Sequence, residues 1–207
     1  MRTRHNRKLK AKAKAKAKTK TKTTTTTRKT YSKKDYQSSD GMLTTVWGPS
    51  IWHFLHTMSF NYPVKPTEED KIHYKEFIKS LRHILPCRHC RENLTKNFEV
   101  YPIEDCHMKD RESFSRYVYG LHETVNKMLG KKSGLKYCDV RERYEHFRSR
   151  CTEEEPKLWD FGKEKKEKGC TEPLYGKKSK CVIKIVPHDF ECSTFQMDEQ
   201  CIKKRGG

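Results

Sequence analysis

The chain has 207 residues and a formal net charge of +19, from 46 Lys and Arg residues against 27 Asp and Glu residues. Its length and its 33% hydrophobic content allow one modest domain with tails. Residues 1–34 hold 15 of the basic residues and no acidic residue, which leaves 31 basic against 27 acidic residues in the rest. The composition therefore excludes a body that is basic throughout and places the excess charge in an N-terminal tail.

This tail, residues 1–40, alternates Lys with Ala or Thr between Lys10 and Lys22 and then runs through a threonine homopolymer. Because no apolar side chain larger than alanine occurs in the repeat, nothing offsets the chain entropy, and the tail is predicted to be disordered. Two interpretations of its charge remain open. Residues 2–34 either contact nucleic acid or another polyanion without regard to sequence, or they form a solubilising tail with no dedicated partner.

The tail also bears on localisation. A secretory signal needs an apolar stretch of about seven residues or more, and the tail contains none. Mitochondrial presequences are Arg-rich and amphipathic with a helical period, whereas this tail is Lys-rich with a period of two. We therefore expect a protein that is not secreted, and no segment of the chain is expected to span a membrane.

A helical body is predicted over residues 41–151. Its first helix follows the turn predicted at 47–50, where Trp, Gly, Pro and Ser stand together. Trp52 and His56 are four residues apart and so lie on the same side of this helix. On the residues alone, the simplest interpretation makes Trp52 a core residue and His56 a partner of a backbone carbonyl.

A second helix, predicted over Thr67–Leu85 from its apolar period, leads to the C-x-x-C of Cys87 and Cys90. The residues after Cys90 predict a third helix over 91–98, so both thiols fall on a first helical turn. There the unpaired N–H groups and the helix dipole stabilise a thiolate. The pair is predicted to be redox-active, and a cofactor is implied because no side chain can accept two electrons.

The C-x-x-C has a competing interpretation as half of a zinc site. Cys106 and His107 would complete a Cys3His ligand set with Cys87 and Cys90. The chain would then be a zinc-stabilised nucleic-acid-binding module that uses the basic tail. No second C-x-x-C follows, which makes this the weaker of the two predictions.

The clearest helical pattern runs from Phe114 to Leu129 and ends at Gly130. His122 and Asn126 lie one turn apart beside its apolar stripe, where they either contact a planar ligand or point to solvent. A short fifth helix is predicted between Cys138 and Cys151. Helices of this length with short links predict an all-α protein, a four-helix bundle plus a short fifth helix.

In this order the motifs resemble those of the Erv/ALR family of FAD-linked sulfhydryl oxidases. The resemblance runs from about Gly48 to Phe147 and rests on Trp52-His53-Phe54-Leu55-His56, Tyr62-Pro63, Pro86-Cys87-x-x-Cys90, His122-x-x-Val125-Asn126-x-x-Leu129-Gly130-Lys131 and Tyr-Cys138. It implies a small helical bundle that holds FAD beside the dithiol. It also implies a homodimer that forms disulfides in protein dithiols and passes the electrons to molecular oxygen, releasing hydrogen peroxide.

The resemblance assigns roles position by position. Cys90 would lie against the flavin and Cys87 would exchange with incoming dithiols, and no metal is expected. The positions expected to bind the cofactor are Gly48, Trp52, His56, Tyr62, His122, Asn126, Lys131 and Tyr144. Pro49 departs from the family, in which many members have Arg. Tyr119 replaces a cysteine that in many members bridges to the position of Cys138, so Cys138 is expected to pair differently, with Cys106 for example, or to remain free.

The C-terminal extension, residues 152–207, lies outside the shared bundle, and its stretch from Cys170 to Cys181 resembles extensions of oxidases from large DNA viruses. Its cysteines are Cys170, Cys181, Cys192 and Cys201, with no C-x-x-C among them. Cys170 with Cys181 is the predicted structural disulfide, since so little apolar content needs a staple. Cys192 with Cys201 is the candidate shuttle pair, with a second staple or free thiols as the alternative. A viral member would be expected in the virion or host cytoplasm, and otherwise in the mitochondrial intermembrane space.

Overall fold

The computed structural model of the chain describes residues 31–152, 169–178, 180–182 and 185–187. The chain divides into two units, Met1–Ser38 and Ser39–Gly207. In the first unit, the described residues form a single helical turn, α1 (Lys33–Tyr36), whose N-cap Ser32 accepts a hydrogen bond from the Asp35 backbone N–H. The disorder predicted for the tail falls, over residues 1–30, outside the described part.

The second unit contains five α-helices among its described residues. They are α2 (Thr44–Asn61), α3 (Glu68–Ile84), α4 (Arg88–Val100), α5 (Arg111–Met128) and α6 (Tyr137–Glu145), with a 3-10 helix at Asp105–Met108. An antiparallel pair of strands, β1 (Ser149–Thr152) and β2 (Gly169–Pro173), follows. The predicted fold class, four helices plus a short fifth, is confirmed, while the strand pair was not predicted. Within the described ranges, no helix has the length and apolarity needed to cross a bilayer.

Local signals explain where the helices begin and end. The Thr67 side chain accepts from the Asp70 backbone N–H, and the Asp70 carboxylate accepts from the Thr67 backbone N–H, which is a complete capping box for α3. Asp110 caps α5 through the Ser113 N–H at 2.8 Å. Gly130, with φ at 67°, occupies the left-handed position that follows α5. The predicted start of α3 and end of α5 are therefore confirmed.

The predicted start of the first helix is wrong. Helix α2 begins at Thr44 and contains Pro49, so the residues predicted as a turn at 47–50 lie inside it. Pro49 removes one N–H from the intrahelical ladder, and this loss falls within the second turn, close to a terminus whose first N–H groups have no intrahelical partner in any case. A proline near the beginning of a helix is a poor marker of the boundary itself.

The core lies between the paired helices. Helix α2 packs on α5 and α6, and α3 packs on α4. The buried apolar side chains that form one cluster are Leu55, Tyr62, Ile78, Leu81, Leu94, Ile103, Met108, Phe114, Tyr117, Val118 and Leu121. Phe114 is fully buried against the rings of Tyr62 and Tyr74, and burial of a side chain of this size stabilises the fold by about 1.5–3 kcal/mol.

The strand pair joins the body to the C-terminal extension. Thr152 pairs with Gly169 and Ser149 with Pro173, so β1 crosses the boundary predicted between residues 151 and 152, and that division stays a prediction. The predicted Cys170–Cys181 disulfide is wrong, because Cys170 is disulfide-bonded while Cys181 is a free, exposed thiol. The candidate shuttle pair, Cys192 with Cys201, lies outside the described residues.

Candidate active site

The two cysteines of the C-x-x-C form a disulfide at the start of α4. Cys87 is the N-cap of that helix, and its Sγ accepts a hydrogen bond from the Cys90 backbone N–H at 3.2 Å. Both residues are half-buried. The structure therefore places the pair on the first turn of a helix, as the sequence predicts, at the positive end of the helix dipole.

A short segment before α2, residues 40–42, forms backbone hydrogen bonds with the residues on either side of Cys87, and we call this segment the clasp. The Met42 N–H donates to the Pro86 carbonyl at 2.6 Å, and the Arg88 N–H donates to the Asp40 carbonyl at 3.3 Å. Gly41 lies between these bonds with φ at 111°, and a Cβ there would fall 2.6 Å from the Pro86 oxygen. Only glycine fits this close approach of two backbones.

Helix α2 links the disulfide to further predicted site residues, which follow one another along one side of this helix. The Thr44 hydroxyl at its first turn lies 3.6 Å from Cys90 Sγ. Gly48 is buried one turn later, and a Cβ on Gly48 would make ordinary contact with Thr44 at 3.5 Å. Trp52 follows four residues further along. At about 1.5 Å of rise per residue, Trp52 lies about 12 Å along the helix from Thr44.

Aromatic rings of α2 and α5 meet at Trp52. The rings of Trp52 and His122 stack with centroids 3.9 Å apart and planes at 5°. His56, buried at 4% exposure, shares a hydrogen bond of 3.0 Å with His122, between Nε2 of His56 and Nδ1 of His122. The Nδ1 atom of His56 is buried with no hydrogen-bond partner among the described residues. The structure thus brings together three predicted cofactor-binding residues and leaves one buried polar atom unsatisfied.

A second aromatic group closes the other side of His56. Tyr144 from α6 lies 5.1 Å from the His56 ring and stacks on Phe60 with planes at 8°. Its hydroxyl is 3.4 Å from Nδ1 of His53. Burial raises the pKa of Tyr144 to about 12, so its hydroxyl stays protonated at neutral pH. His53 was not predicted as a site residue, although it lies inside the Trp52–His56 motif.

A basic groove lies at the end of α5 and along the loop that follows it. Asn126 donates to the Glu123 carboxylate at 3.0 Å, and its carbonyl accepts from the Lys131 N–H at 2.8 Å. An open cavity of about 490 Å³ lies here, lined by Glu123, Lys127, Gly130, Lys131, Lys132, Ser133, Gly134, Leu135 and Lys136. Four lysines against one glutamate make this groove electropositive.

Tyr62 stands apart from the other predicted cofactor-binding residues. It is fully buried, its hydroxyl donates to the Met108 carbonyl at 3.0 Å, and its ring packs on Tyr74 and Phe114. Its backbone carbonyl accepts from Arg111 Nε at 2.6 Å. This placement corrects the expectation that Tyr62 binds a cofactor. Its side chain is inaccessible, and both its hydroxyl and its backbone carbonyl are hydrogen-bonded to other residues of the protein.

The four residues of the zinc alternative do not converge. Among the described residues, no group of three or more His, Cys, Asp or Glu side chains is arranged to hold a metal ion. Cys106 is a free, exposed thiol, and Nδ1 of His107 accepts from the Glu104 backbone N–H at 3.0 Å. Cys138 is also free, so it does not pair with Cys106.

The neutral His56–His122 pair predicts a loss of stability in acid. Burial, with the charges of His122 and His53, lowers the pKa of His56 from 6.5 to about 3, and burial lowers the pKa of His122 to about 4. The unfolded chain takes up these protons near pH 6.5 and the folded chain does not. The stabilisation is therefore complete above pH 6.5 and decreases as the pH falls toward 4.

Below pH 6.5, each of these protons lowers the free energy of unfolding by about 1.4 kcal/mol per pH unit. Urea unfolding at pH 7 and pH 5 should give free energies that differ by about 2 kcal/mol for one histidine, and by more if both contribute. A His122→Gln variant should show a smaller difference between the two pH values. Equal free energies of unfolding at both values would contradict a buried neutral pair.

Comparison with known proteins places this site in a family. The model of the Erv1/Alr family matches residues 49–150. A protein of Acanthamoeba polyphaga mimivirus named as a probable FAD-linked sulfhydryl oxidase is 40% identical over 86 residues, which cover 42% of this chain and 60% of that protein. The mitochondrial FAD-linked sulfhydryl oxidase ERV1 of Saccharomyces cerevisiae is 34% identical over 104 residues, half of each chain.

The crystal structure of the yeast Erv1 core is 26% identical, covers 58% of this chain and 95% of that chain, and superposes with a TM-score of 0.45. Through residues 49–150, the chain belongs to the Erv1/Alr family. The chain spans 60% and 50% of the lengths of the mimivirus and yeast relatives.

Proposed function

We propose that this chain is an FAD-dependent thiol oxidase, which forms disulfide bonds in protein dithiols and passes the electrons to molecular oxygen with release of hydrogen peroxide. The observation that carries the proposal is the Cys87–Cys90 disulfide at the start of α4, in contact with the same helix, α2, that holds the Trp52–His122 ring pair. A reactive disulfide and a candidate site for a planar ligand are therefore joined through one rigid element.

The disulfide supplies the exchange chemistry. A substrate thiolate attacks Cys87 Sγ, a bond forms between the two sulfurs, and the Cys87–Cys90 bond breaks with its electron pair on Cys90 Sγ. The second thiolate of the substrate then attacks the substrate sulfur that is bonded to Cys87. This step releases Cys87 as a thiolate and leaves a disulfide in the substrate. The two electrons taken from the substrate remain on the Cys87–Cys90 dithiol.

The residues present fit FAD. The unpaired Nδ1 of buried His56 would accept a further polar partner, and the half-buried ring pair of Trp52 and His122 provides a flat aromatic surface. The lysines of the basic groove, Lys131 among them, carry positive charge that complements the negative charge of a pyrophosphate. When bound, FAD supplies the two-electron acceptor that no side chain offers and returns the electrons to oxygen.

Gly48, Asn126 and Tyr144 complete the proposed cofactor contacts. Gly48 has no side chain beside Thr44 on α2, and Asn126 lies four residues after His122 on α5, hydrogen-bonded to Glu123 and Lys131. Tyr144 covers the side of His56 that faces α6.

Release of the bound nucleotide tests the cofactor assignment. The dialysed full chain is denatured, and the nucleotide set free is identified by chromatography and quantified against protein. We expect one FAD for each chain. Protein that carries no flavin and gives no heat of binding when titrated with FAD would contradict the assignment.

A homodimer is the proposed assembly. It rests on the resemblance and on apolar side chains left at the surface, such as Phe54 of α2, which is 51% exposed and packs edge-on against Phe77 of α3. Sedimentation of the full chain should give twice the monomer mass, and Phe54→Asp should shift the population toward monomer. A monomeric wild-type chain at micromolar concentration would contradict the proposal.

For the basic tail, we propose contact with nucleic acid through residues 2–34. The support is its charge, 15 Lys and Arg residues without an acidic residue over 1–34, since such a run attracts phosphates through counterion release. Retention on immobilised DNA should fall steeply with salt and should be lost when residues 2–34 are deleted. Unchanged retention of the deletion variant at low salt would contradict the proposal and would leave the tail with a solubilising role alone.

The place of action is proposed from the relatives. One is a protein of Acanthamoeba polyphaga mimivirus and another is a mitochondrial protein of Saccharomyces cerevisiae. A viral chain would act in the virion or host cytoplasm, and a mitochondrial one in the intermembrane space. Both are compartments in which an enzyme that makes disulfides would explain the nine cysteines of this chain.

A further inference from the structure

The two sulfurs of the redox disulfide face different hydrogen-bond donors. Cys87 Sγ accepts from the backbone N–H of Cys90 at 3.2 Å. Cys90 Sγ lies 3.6 Å from the Thr44 hydroxyl of α2, a distance suited to a hydrogen bond to sulfur. Because a disulfide sulfur carries no proton, the Thr44 hydroxyl is the donor in this pair. Cys90 therefore receives a donor from outside its own helix.

The position of Thr44 is fixed by the segment that precedes it. The clasp of residues 40–42 is bonded to Pro86 and Arg88 on either side of Cys87, and Gly41 makes the close approach possible. The indole Nε1 of Trp47 donates to the Met42 carbonyl at 3.1 Å and ties the clasp to the first turn of α2. The hydroxyl is thus held beside the sulfur by backbone contacts.

The charged groups near the disulfide are largely engaged elsewhere. Arg88 is 3.7 Å from the Asp40 carboxylate, and His89 is 3.3 Å from the Glu92 carboxylate. Arg91 donates to the Leu85 carbonyl at 2.6 Å. Since Arg88 and His89 each face a carboxylate, a directed donor to Cys90 Sγ adds stabilisation to a thiolate at this position.

We propose that Thr44 is a catalytic residue, whose hydroxyl donates a hydrogen bond to the Cys90 thiolate released when a substrate thiolate attacks Cys87. This inference rests on the proposed function. In that step, the bond between Cys87 and the substrate sulfur forms and the Cys87–Cys90 bond breaks, with the electron pair on Cys90 Sγ. No proton is transferred, because the hydroxyl keeps its proton and only donates it as a hydrogen bond. By favouring negative charge on Cys90, Thr44 makes Cys90 the better leaving group and directs attack to Cys87.

The test measures the thiolate directly. In a Cys87→Ser background, the rate of alkylation of Cys90 by iodoacetamide is followed against pH by peptide mass spectrometry, which separates Cys90 from the other thiols. Thr44→Val should raise the apparent pKa of Cys90 by about half a unit to one unit, which is a three- to tenfold loss of thiolate below the pKa. Thr44→Ser keeps a hydroxyl and should restore the wild-type value.

The matched control is Thr45→Val, which removes an exposed hydroxyl from the next residue of α2 and should leave the pKa of Cys90 unchanged. With both cysteines present, Thr44→Val should also favour the disulfide over the dithiol in equilibrium with glutathione by about threefold or more, because the thiolate form loses a donor. Identical pKa values and equilibria for Thr44→Val and Thr45→Val would overturn the proposal. Neither readout uses oxygen, so a failure here is distinct from a failure of the oxidase function.

Discussion

Cys90→Ser will abolish thiol-dependent oxygen consumption while leaving the flavin bound. The serine hydroxyl is isosteric with the thiol but cannot form the Cys87–Cys90 disulfide, so electrons that reach Cys87 have no further path. The proposed contacts to FAD come from α2, α5, α6 and the lysine-rich loop after α5, none of which includes Cys90. We expect activity to fall by at least about 1,000-fold, the scale seen when a nucleophile is removed from a catalytic unit.

Cys138→Ser is the matched control for this experiment. Cys138 is a free, exposed thiol near the start of α6, and its replacement should leave oxygen consumption within twofold of wild type. Both variants should show the flavin spectrum after dialysis. Full activity of Cys90→Ser would refute the assignment of the redox centre, and loss of activity in Cys138→Ser would show that a second thiol takes part.

His122→Ala should destabilise the fold and weaken flavin binding together. The change removes the ring that stacks on Trp52 and the hydrogen-bond partner of His56 Nε2. Because His56 Nδ1 already has no partner in the described part of the chain, the buried imidazole would then lack a protein partner on both nitrogens. An unsatisfied buried polar group costs about 1–3 kcal/mol, and loss of an aromatic pair costs about 0.5–1.5 kcal/mol.

The measurement is urea unfolding of the protein, paired with the FAD dissociation constant from calorimetry. We expect a loss of about 1.5–4.5 kcal/mol in stability, the sum of those two contributions, and at least tenfold weaker binding. His73→Ala is the control, since His73 is exposed on α3, where its Nε2 lies 3.5 Å from the Glu69 carboxylate, and it should change the stability by less than about 0.5 kcal/mol. Wild-type stability and affinity in His122→Ala would show that the ring pair plays neither role.

Much of the fold was predictable because its determinants are local. The capping box of Thr67 and Asp70, the apolar period from Phe114 to Leu129 and the left-handed Gly130 all act within a few residues. The same holds for the position of Cys87 and Cys90 on a first turn. Each of these features is a property of a short sequence window, so it can be recognised without knowledge of the tertiary structure.

The contacts that complete the site were not predictable in this way. Thr44 meets Cys90 across 46 positions of sequence, and neither residue carries a local sign of the other. Gly41 is required by the approach of Pro86, which only the folded chain creates. For Tyr62 the sequence predicted a contact that the fold does not provide. Its place in a family motif implied a ligand, whereas its packing against Tyr74 and Phe114 makes it a core residue.

The state of the outer cysteines was not predictable from the sequence. Cys170 lies in β2, a five-residue strand opposite β1, and it is disulfide-bonded, whereas Cys181 is free. Sequence spacing offers many pairings for nine cysteines and gives no geometric reason to choose among them. A disulfide needs two Cα atoms within about 7 Å of each other, a proximity that the tertiary fold creates.

Thiol oxidase activity is tested most directly by following oxygen consumption and visible absorbance together in the dialysed full chain after a small dithiol is added under air. We expect a flavin spectrum that bleaches on addition of the dithiol and returns when the dithiol is exhausted, with oxygen consumed and hydrogen peroxide formed in equal amounts. A colourless protein, or a flavin spectrum that the dithiol does not change while oxygen stays constant, would contradict it.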